Sequence, residues 1–486
     1  MKISSSRVFW KKNAIKMATS KLQRKEYGMF VFSSPTSRYE TSLKHIHRKA
    51  ESFLASDDQS KEEFVKPNRD VNPIKLIKYN DILNKQKQFS YLDKNFKIEN
   101  KYILNLIKSK SSFCDGDFEG YGNKFAHFKN ILVDPNCAVG RTGGEEIDQV
   151  LNQAEGKEYL ELKPSYFNIQ CNTSIKYAFN SKDHLKGWMS ALKTWEKPHY
   201  QDTKYTVSKP FTIAIQRYEY ANLYHTMTDF YNAFLLLIIY KKHPNDTDIL
   251  LIDSHPKGAL DEAWDTLFGS AFRAGHLKSP VLFKDFAWGI TGYYSIMNDH
   301  DLPRVPYIEE FRSFFLTQHG IPIIEDLICE KITVLFIFRR DYVAHPRNPK
   351  GIVGRKIKNE KQLLQAIEKL LPGHNVIGIQ TDHYNMTEQL RYISNTDILV
   401  GMHGAGLSHT LFLPKHAGLI ELYPNYWPMA NRHFRAMAKW RTLHYSSWQN
   451  SNSSNELPNK YTHIPVKVVT AMVDEMYHKI CGKHPT

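Results

Sequence analysis

A chain of 486 residues with 42% hydrophobic and 13% aromatic content can bury a large core, which excludes a disordered polymer and suggests two or three domains. The formal charge is +15, but residues 1–50 hold 12 Lys/Arg against 2 acidic residues, which leaves only +5 on the rest. A basic tail on a nearly balanced body is not a basic groove, so no nucleic acid is expected as a partner.

Residues 1–100 alternate charged and polar runs and read as a basic tail or stem-like region, partly helical over 79–107. The first residues are rich in Lys, Arg and Ser and superficially resemble a transit peptide. The longest apolar run, AFLLLIIY at 233–240, falls far short of the ~20 residues needed to span a bilayer. The four Asn-X-Ser/Thr sequons, at Asn172, Asn245, Asn385 and Asn452, match what chance predicts and carry no argument. Residues 112–171 are rich in Gly, Asp and Asn and read as loops, with a turn and a short amphipathic helix at 140–153. Cys114, Cys137 and Cys171 lie close enough in sequence to permit a disulfide, and Cys329 and Cys481 stand apart; five free thiols fit equally well.

A first α/β unit follows. PFTIAIQRY (210–218), DILLID (248–253) and VLF (281–283) read as strands, and 221–240 and 260–269 as helices. Leu223, Met227, Phe230, Phe234 and Ile238 recur at helical spacing in the first of these helices. After a break around 302–330 a second unit begins. Its strands are ITVLFIF (332–338), NVIGIQ (375–380), DILVG (397–401) and GLIELY (418–423), with helices at 359–373 and 386–395. Strands alternating with helices of this length predict parallel sheets covered on both faces. Ligands of such sheets bind at the carboxyl ends of the strands, here between the units. The domains expected are 1–100, 101–325 and 326–486.

The segment GMHGAGLSHTLFLPKHAGLIELYP (401–424) points most directly to chemistry. A buried strand runs into a Gly turn, His403-Gly404-Ala405-Gly406-Leu407, and then into a segment able to start a helix. Glycine lets a phosphate approach the unpaired backbone N–H groups of such a turn, which suggests a nucleotide or nucleotide-sugar. Arg339 and Arg340 end the strand ITVLFIF, with Arg347 and Arg355 in the loop beyond; guanidinium groups bind a diphosphate bidentately, or form a solvated basic loop. Glu421, one acid in an apolar strand, is placed to hold ribose hydroxyls or lies at an exposed edge. His225 and Asp229 share a helix face at i, i+4, and either can take a proton from a sugar hydroxyl, or both are satisfied core residues. Asp246-Thr247-Asp248 mimics the metal-binding DxD of sugar transferases but precedes its strand, so it reads as a turn; Asp115-Gly116-Asp117 is a weaker match still.

GGEEIDQVL (143–151), EYANLYHTMTDFYNAF (219–234), RRDYVAHPR (339–347), GMHGAGLSHTLFLP (401–414) and AKWRTLHY (438–445), in this order, resemble glycosyltransferase family 61, and most of all its β-1,2-xylosyltransferase branch. The resemblance runs from about Cys114 to the end. It implies a GT-B-like fold, two Rossmann-like doubly wound domains facing a cleft. It also implies inverting transfer of xylose from UDP-xylose to the core β-mannose of N-glycans. By the same resemblance, Arg339, Arg340, the turn His403, Gly404, Ala405, Gly406 and Leu407, and Glu421 hold the donor, and Asp229 or His225 is the base. No cofactor or metal is implied beyond the UDP-xylose donor; the partners are a UDP-sugar and an N-glycan on glycoproteins. Members of the branch are Golgi membrane proteins. No anchor is seen in this sequence, and its end lacks a KDEL-like signal, which favours the Golgi branch. The alternatives are a UDP-GlcNAc-dependent O-linked transferase of the same family and a catalytically inactive glycan-binding protein.

Overall fold

A computed structural model describes residues 89–482 except 173–174, 178, 180–183 and 196–203. Most of the stretch read as a tail therefore lies outside the described residues. Its last part does not behave as one: Phe89 and Tyr91 are buried in the core, and the helix expected nearby is α1, Lys101–Lys108, capped by the Asn100 side chain.

The fold is mixed α/β with two main sheets. Nine strands form the first: β1 Lys110–Phe113, β2 Phe118–Tyr121, β3 Phe125–Val133, β4 Phe167–Gln170, β5 Leu192–Trp195, β6 Thr206–Ile215, β7 Thr247–Leu251, β8 Ser270–Arg273 and β9 Val281–Trp288. Strands β9, β6, β7 and β8 are parallel neighbours in that order. An antiparallel extension, β3 with β2 and β1, joins at β9. The helices of this half are α2 His184–Ala191, α3 Leu223–Tyr240, α4 Asp261–Leu267 and α5 Ile308–Gln318.

The second sheet holds β10 Thr333–Phe338, β11 Asn375–Gln380, β12 Ile398–Met402, β13 Gly418–Tyr423 and β14 His444–Gln449. All five are parallel and the order is β11-β10-β12-β13-β14. This is the doubly wound order 2-1-3-4-5, whose topological switch point lies between β10 and β12. Helices α6 Glu360–Leu370, α7 Met386–Ser394, α8 His433–Trp440 and α9 Val466–Cys481 cover it.

Strand alternation sorts the core into layers. Val334, Phe336 and Phe338 of β10 face α6 and α9 in one cluster. Leu335 and Ile337 face the opposite way, into a cluster that takes in Leu407, Leu411, Phe434 and Trp440 and continues into Met227, Phe230 and Phe234 of α3. The two halves thus share one continuous apolar layer. Helix α3 sits within it and is buried on nearly every side, as expected for a helix apolar all round.

The sequence reading placed β6, β7, β10 to β13, α3, α4, α6 and α7 to within a few residues, and the start of β9. It missed β1 to β5, β8, β14, α2, α8 and α9; around β1 to β4, Gly, Asp and Asn in tight turns hide short strands. They join the parallel strands through β3, which pairs with β9 across more than a hundred residues of sequence, as in Phe128 opposite Phe286. The expected helix at 140–153 is only a 3₁₀ turn, Ile147–Val150. The break around 302–330 contains α5, whose buried Arg312 reaches Glu325 at 2.5 Å.

Two disulfides cross the fold. Cys114–Cys171 lies within the region where a bond was thought possible, and Cys329–Cys481 ties the entry of the second sheet to α9 over 152 residues of sequence. Cys137 is free. Because a long closed loop restricts the unfolded chain most, Cys329→Ser should lower stability by about 2–4 kcal/mol. Chemical denaturation would show this as a fall in midpoint; an unchanged midpoint would mean that the bond does not form.

Candidate functional site

The carboxyl ends of both parallel sheets converge on one cavity of about 250 Å³. Ala221, Leu223 and Leu260 line it from the first half; Arg339, Tyr342, Thr381 and the turn Gly404 to Leu407 line it from the second. The turn and Arg339 follow β12 and β10, so the cavity opens at the switch point.

Arg339 is partly buried. Its Nε donates to Gly354 O at 3.0 Å, and its guanidinium lies against Gly404, where an added Cβ would come 2.8 Å from Cζ. Gly404 is extended, with φ 173°, so glycine is needed here for that close approach and not for its backbone angle. Gly404→Ala should displace the guanidinium while sparing the fold, and weaken binding of a diphosphate about tenfold; titration calorimetry with inorganic pyrophosphate showing an unchanged affinity would refute it. Ala405–Phe412 forms a 3₁₀ segment instead of an α-helix, and its N-terminal residues face the cavity.

Arg340 also lines the cavity, but its guanidinium pairs with Glu360 at 2.6 Å. A further desolvated cation near Arg339 is Arg355, which the sequence placed only in a basic loop. That loop is fastened at both ends: buried Lys356 meets Asp341 at 2.7 Å, Val353 N–H donates to Asp341, and Tyr342 N–H to Gly351 O. The geometry holds Arg355 at φ 61°, a left-handed conformation uncommon outside glycine. Its guanidinium stacks 4.0 Å over the Trp427 ring.

Among the described residues neither Arg339 nor Arg355 has a carboxylate within salt-bridge distance. Burial lowers the pKa of both. For Arg355, Arg339 adds repulsion, and the value falls to about 9. Both remain charged at neutral pH. Two desolvated cations that repel each other make a site complementary to a doubly charged anion. The Trp427 Nε1–H, buried without an acceptor, adds a free donor beside them.

His403 and Glu421 are buried behind this pair. Glu421 Oε1 accepts from His403 Nδ1 at 2.5 Å, and Oε2 from the Tyr445 hydroxyl at 2.8 Å. With both oxygens engaged and no exposure, Glu421 does not face the cavity as a ribose ligand would. It orients His403 instead, whose pKa burial lowers against the opposing pull of Glu421. His403 packs in turn on His433, which touches His300 and Tyr224. Burial, then the neighbouring His300, His403, His225 and Arg355, push His433 down to about 3, so it is neutral.

The paired base candidates part company. His225, in the first turn of α3, lines a smaller cavity of about 160 Å³ with Tyr218, Thr228, Gly292, Tyr293 and Asn298. Burial lowers its pKa, with Glu219 opposing. Asp229 lies one layer deeper, 2% exposed, with neither oxygen hydrogen-bonded. Desolvation raises its pKa well above the usual carboxylate range, while Arg217 opposes and Asp253 reinforces the shift.

A buried ion network shapes the first-half rim. Arg217, just past β6, binds Asp253 through Nε and Nη2 at 2.8 Å each and Asp261 through Nη1. Arg273 joins both acids, and Glu158 meets His255. Glu219 then reaches across to His345 and Arg347, which fastens the Arg355 loop to the first half. Asp246-Thr247-Asp248 starts β7, and Asp248 accepts from Ser270.

Strand-end arginines and a glycine turn at a switch point make a cavity suited to an anionic ligand. The family model described as Glycosyltransferase 61 matches residues 220–420. That span includes α3, Arg339, Arg355 and Gly404. The chain is similar to a β-1,2-xylosyltransferase of Oryza sativa subsp. japonica, 25% identical over 413 residues, which cover 77% of this chain and 72% of that protein. It is 22% identical to a β-1,2-xylosyltransferase of Arabidopsis thaliana, over 71% of this chain and 75% of the other. An EGF domain-specific O-linked N-acetylglucosamine transferase of Drosophila melanogaster is 28% identical over 47% of this chain and 43% of its own length. Of the ordered motifs read from the sequence, those at 339–347 and 401–414, and all but the first residue of 219–234, lie within the matched span.

Proposed function

We propose that this glycosyltransferase has the GT-B arrangement and moves xylose from UDP-xylose to the core β-mannose of N-glycans in β-1,2 linkage, with inversion. The observation that carries the donor side is the pair Arg339 and Arg355, two cations without carboxylate partners beside the Gly404 turn. They counter the charge of a diphosphate before reaction and of UDP as it leaves. The acceptor hydroxyl oxygen bonds to the anomeric carbon as the bond from that carbon to the phosphate oxygen breaks. His225 takes the hydroxyl proton; a neutral, cavity-lining imidazole is suited to this, whereas Asp229 is out of reach behind it. The xylosyl reading draws on the greater share of the chain matched by the xylosyltransferases. Residence in the Golgi fits a protein with two disulfides, since such bonds persist in oxidising compartments.

The test is to incubate the protein with UDP-xylose, UDP-GlcNAc, UDP-glucose and UDP-galactose, a core N-glycan and EDTA, and to weigh the glycan. A pentose-sized gain from UDP-xylose alone supports the proposal, and its persistence in EDTA supports a donor site built on arginine. A gain from UDP-GlcNAc on a protein hydroxyl would replace it with the O-linked reading. UDP binding without turnover on any acceptor would favour a glycan-binding role.

A further inference from the structure

The smaller cavity is built differently from the larger one. Its lining is aromatic and neutral: Tyr218, Tyr293, Thr228, Asn298, Gly292 and the edge of His225. Among the described residues no Lys, Arg, Asp or Glu lines it. An anion or a cation would find no partner here, but a neutral polyol with one apolar face would.

Tyr293 is 56% exposed, high for a large ring within a folded core region. It is nevertheless held in place. The ring leans on Tyr218 with centroids 4.2 Å apart. The 3₁₀ turn that presents it, Gly292–Tyr294, is fastened by the Asn298 amide, whose Nδ2 donates to Gly292 O at 2.7 Å and to Tyr293 O at 3.3 Å. Asn298 Oδ1 accepts from the Tyr224 hydroxyl at 3.1 Å. Behind the turn, Gly292 sits so close to Asp229 that an added Cβ would lie 2.8 Å from Oδ1. An exposed aromatic face, fixed from three sides and set beside an imidazole, is preorganised for a partner.

We infer that this cavity is the acceptor subsite: the hexopyranose that offers the reacting hydroxyl stacks its apolar C–H face on Tyr293 and turns that hydroxyl to His225. The inference rests on the transferase reading above and deepens it by naming where a neutral pyranoside binds. Tyr293 is then a specificity-determining contact, and Asn298 a positioning residue that acts through the turn.

The experiment separates the two cavities. Methyl β-mannopyranoside and a core N-glycan are titrated into the wild-type protein, Tyr293→Ala and Tyr293→Phe without UDP, with binding read by saturation-transfer NMR; UDP affinity is measured in parallel by calorimetry. Loss of an aromatic stacking partner should weaken glycan binding about tenfold in Tyr293→Ala. It should leave UDP affinity within about twofold, and Tyr293→Phe should restore binding. In turnover the acceptor KM should rise with little change in kcat. Glycan binding that is unaltered in Tyr293→Ala, equally weak in Tyr293→Phe, or absent from the wild-type protein overturns the inference. Joint loss of UDP affinity in Tyr293→Ala overturns it as well, since the cavity would then belong to the donor. Failure of the donor reading registers separately, as a wild-type protein that does not bind UDP, and the glycan arm still decides.

Discussion

Arg355→Met should lower UDP affinity by about 10–100-fold without lowering the stability of the free protein. A charged hydrogen bond to phosphate is worth roughly 1.5–3 kcal/mol, which sets the size of the loss. The second half of the expectation follows from what surrounds the group. Arg355 has no carboxylate to lose, it is depressed by burial and by Arg339, and a thioether chain keeps contact with the Trp427 face. Removing the cation relieves repulsion in the empty site and removes attraction in the filled one. Arg340→Met, at the rim on Glu360, should cost UDP affinity much less. Calorimetry and thermal melts of the two variants give the comparison. Equal losses at both positions, or a melting temperature that falls with UDP affinity intact in Arg355→Met, would sink the assignment of the diphosphate to the inner pair.

His225→Ala should lower kcat by about 10²–10⁴-fold with UDP affinity unchanged, the range for removal of a general base. Asp229→Asn should change kcat little. Desolvation pushes its carboxyl well above the usual carboxylate range, which favours the neutral form, and an amide nearly matches its shape. The pH profile adds a sign. The base form of His225 is the neutral ring, burial lowers its pKa below the ordinary value of 6.5, and Glu219 only partly offsets that. Activity should therefore hold through neutrality and fall on the acid side with a midpoint below 6.5. The opposite pattern, a large loss in Asp229→Asn and a small one in His225→Ala, would give the proton to the carboxylate.

Much of this architecture was legible because it is local. Strands such as ITVLFIF and GLIELY announce themselves by composition, and α3 by its period. The turn at 403–407 was legible because two glycines interrupt apolar runs where a sheet of this kind keeps its ligands. The antiparallel extension β1 to β3 was not, because short strands between tight turns carry weak local preference and gain their stability from distant partners.

The site divides along the same line. By itself, the sequence determined which residue types stand at the strand ends: Arg339 after β10, His403 to Leu407 after β12, and His225 four residues before Asp229 on one helix. Local chemistry and spacing suffice for that. Only the tertiary structure decided which partner each of them meets. Arg340 and Arg339 are adjacent, yet one meets Glu360 and the other meets Gly404. Arg355 is held over Trp427 in a loop that Lys356 and Asp341 close. Glu421 is consumed by His403 and Tyr445 from neighbouring segments. Asp229 and His225 share a helix face but not a depth, since Gly292 arrives from another strand end to cover one and leave the other open. Such choices depend on burial and on partners far away in the chain, and those interactions exist only after the two sheets have packed together.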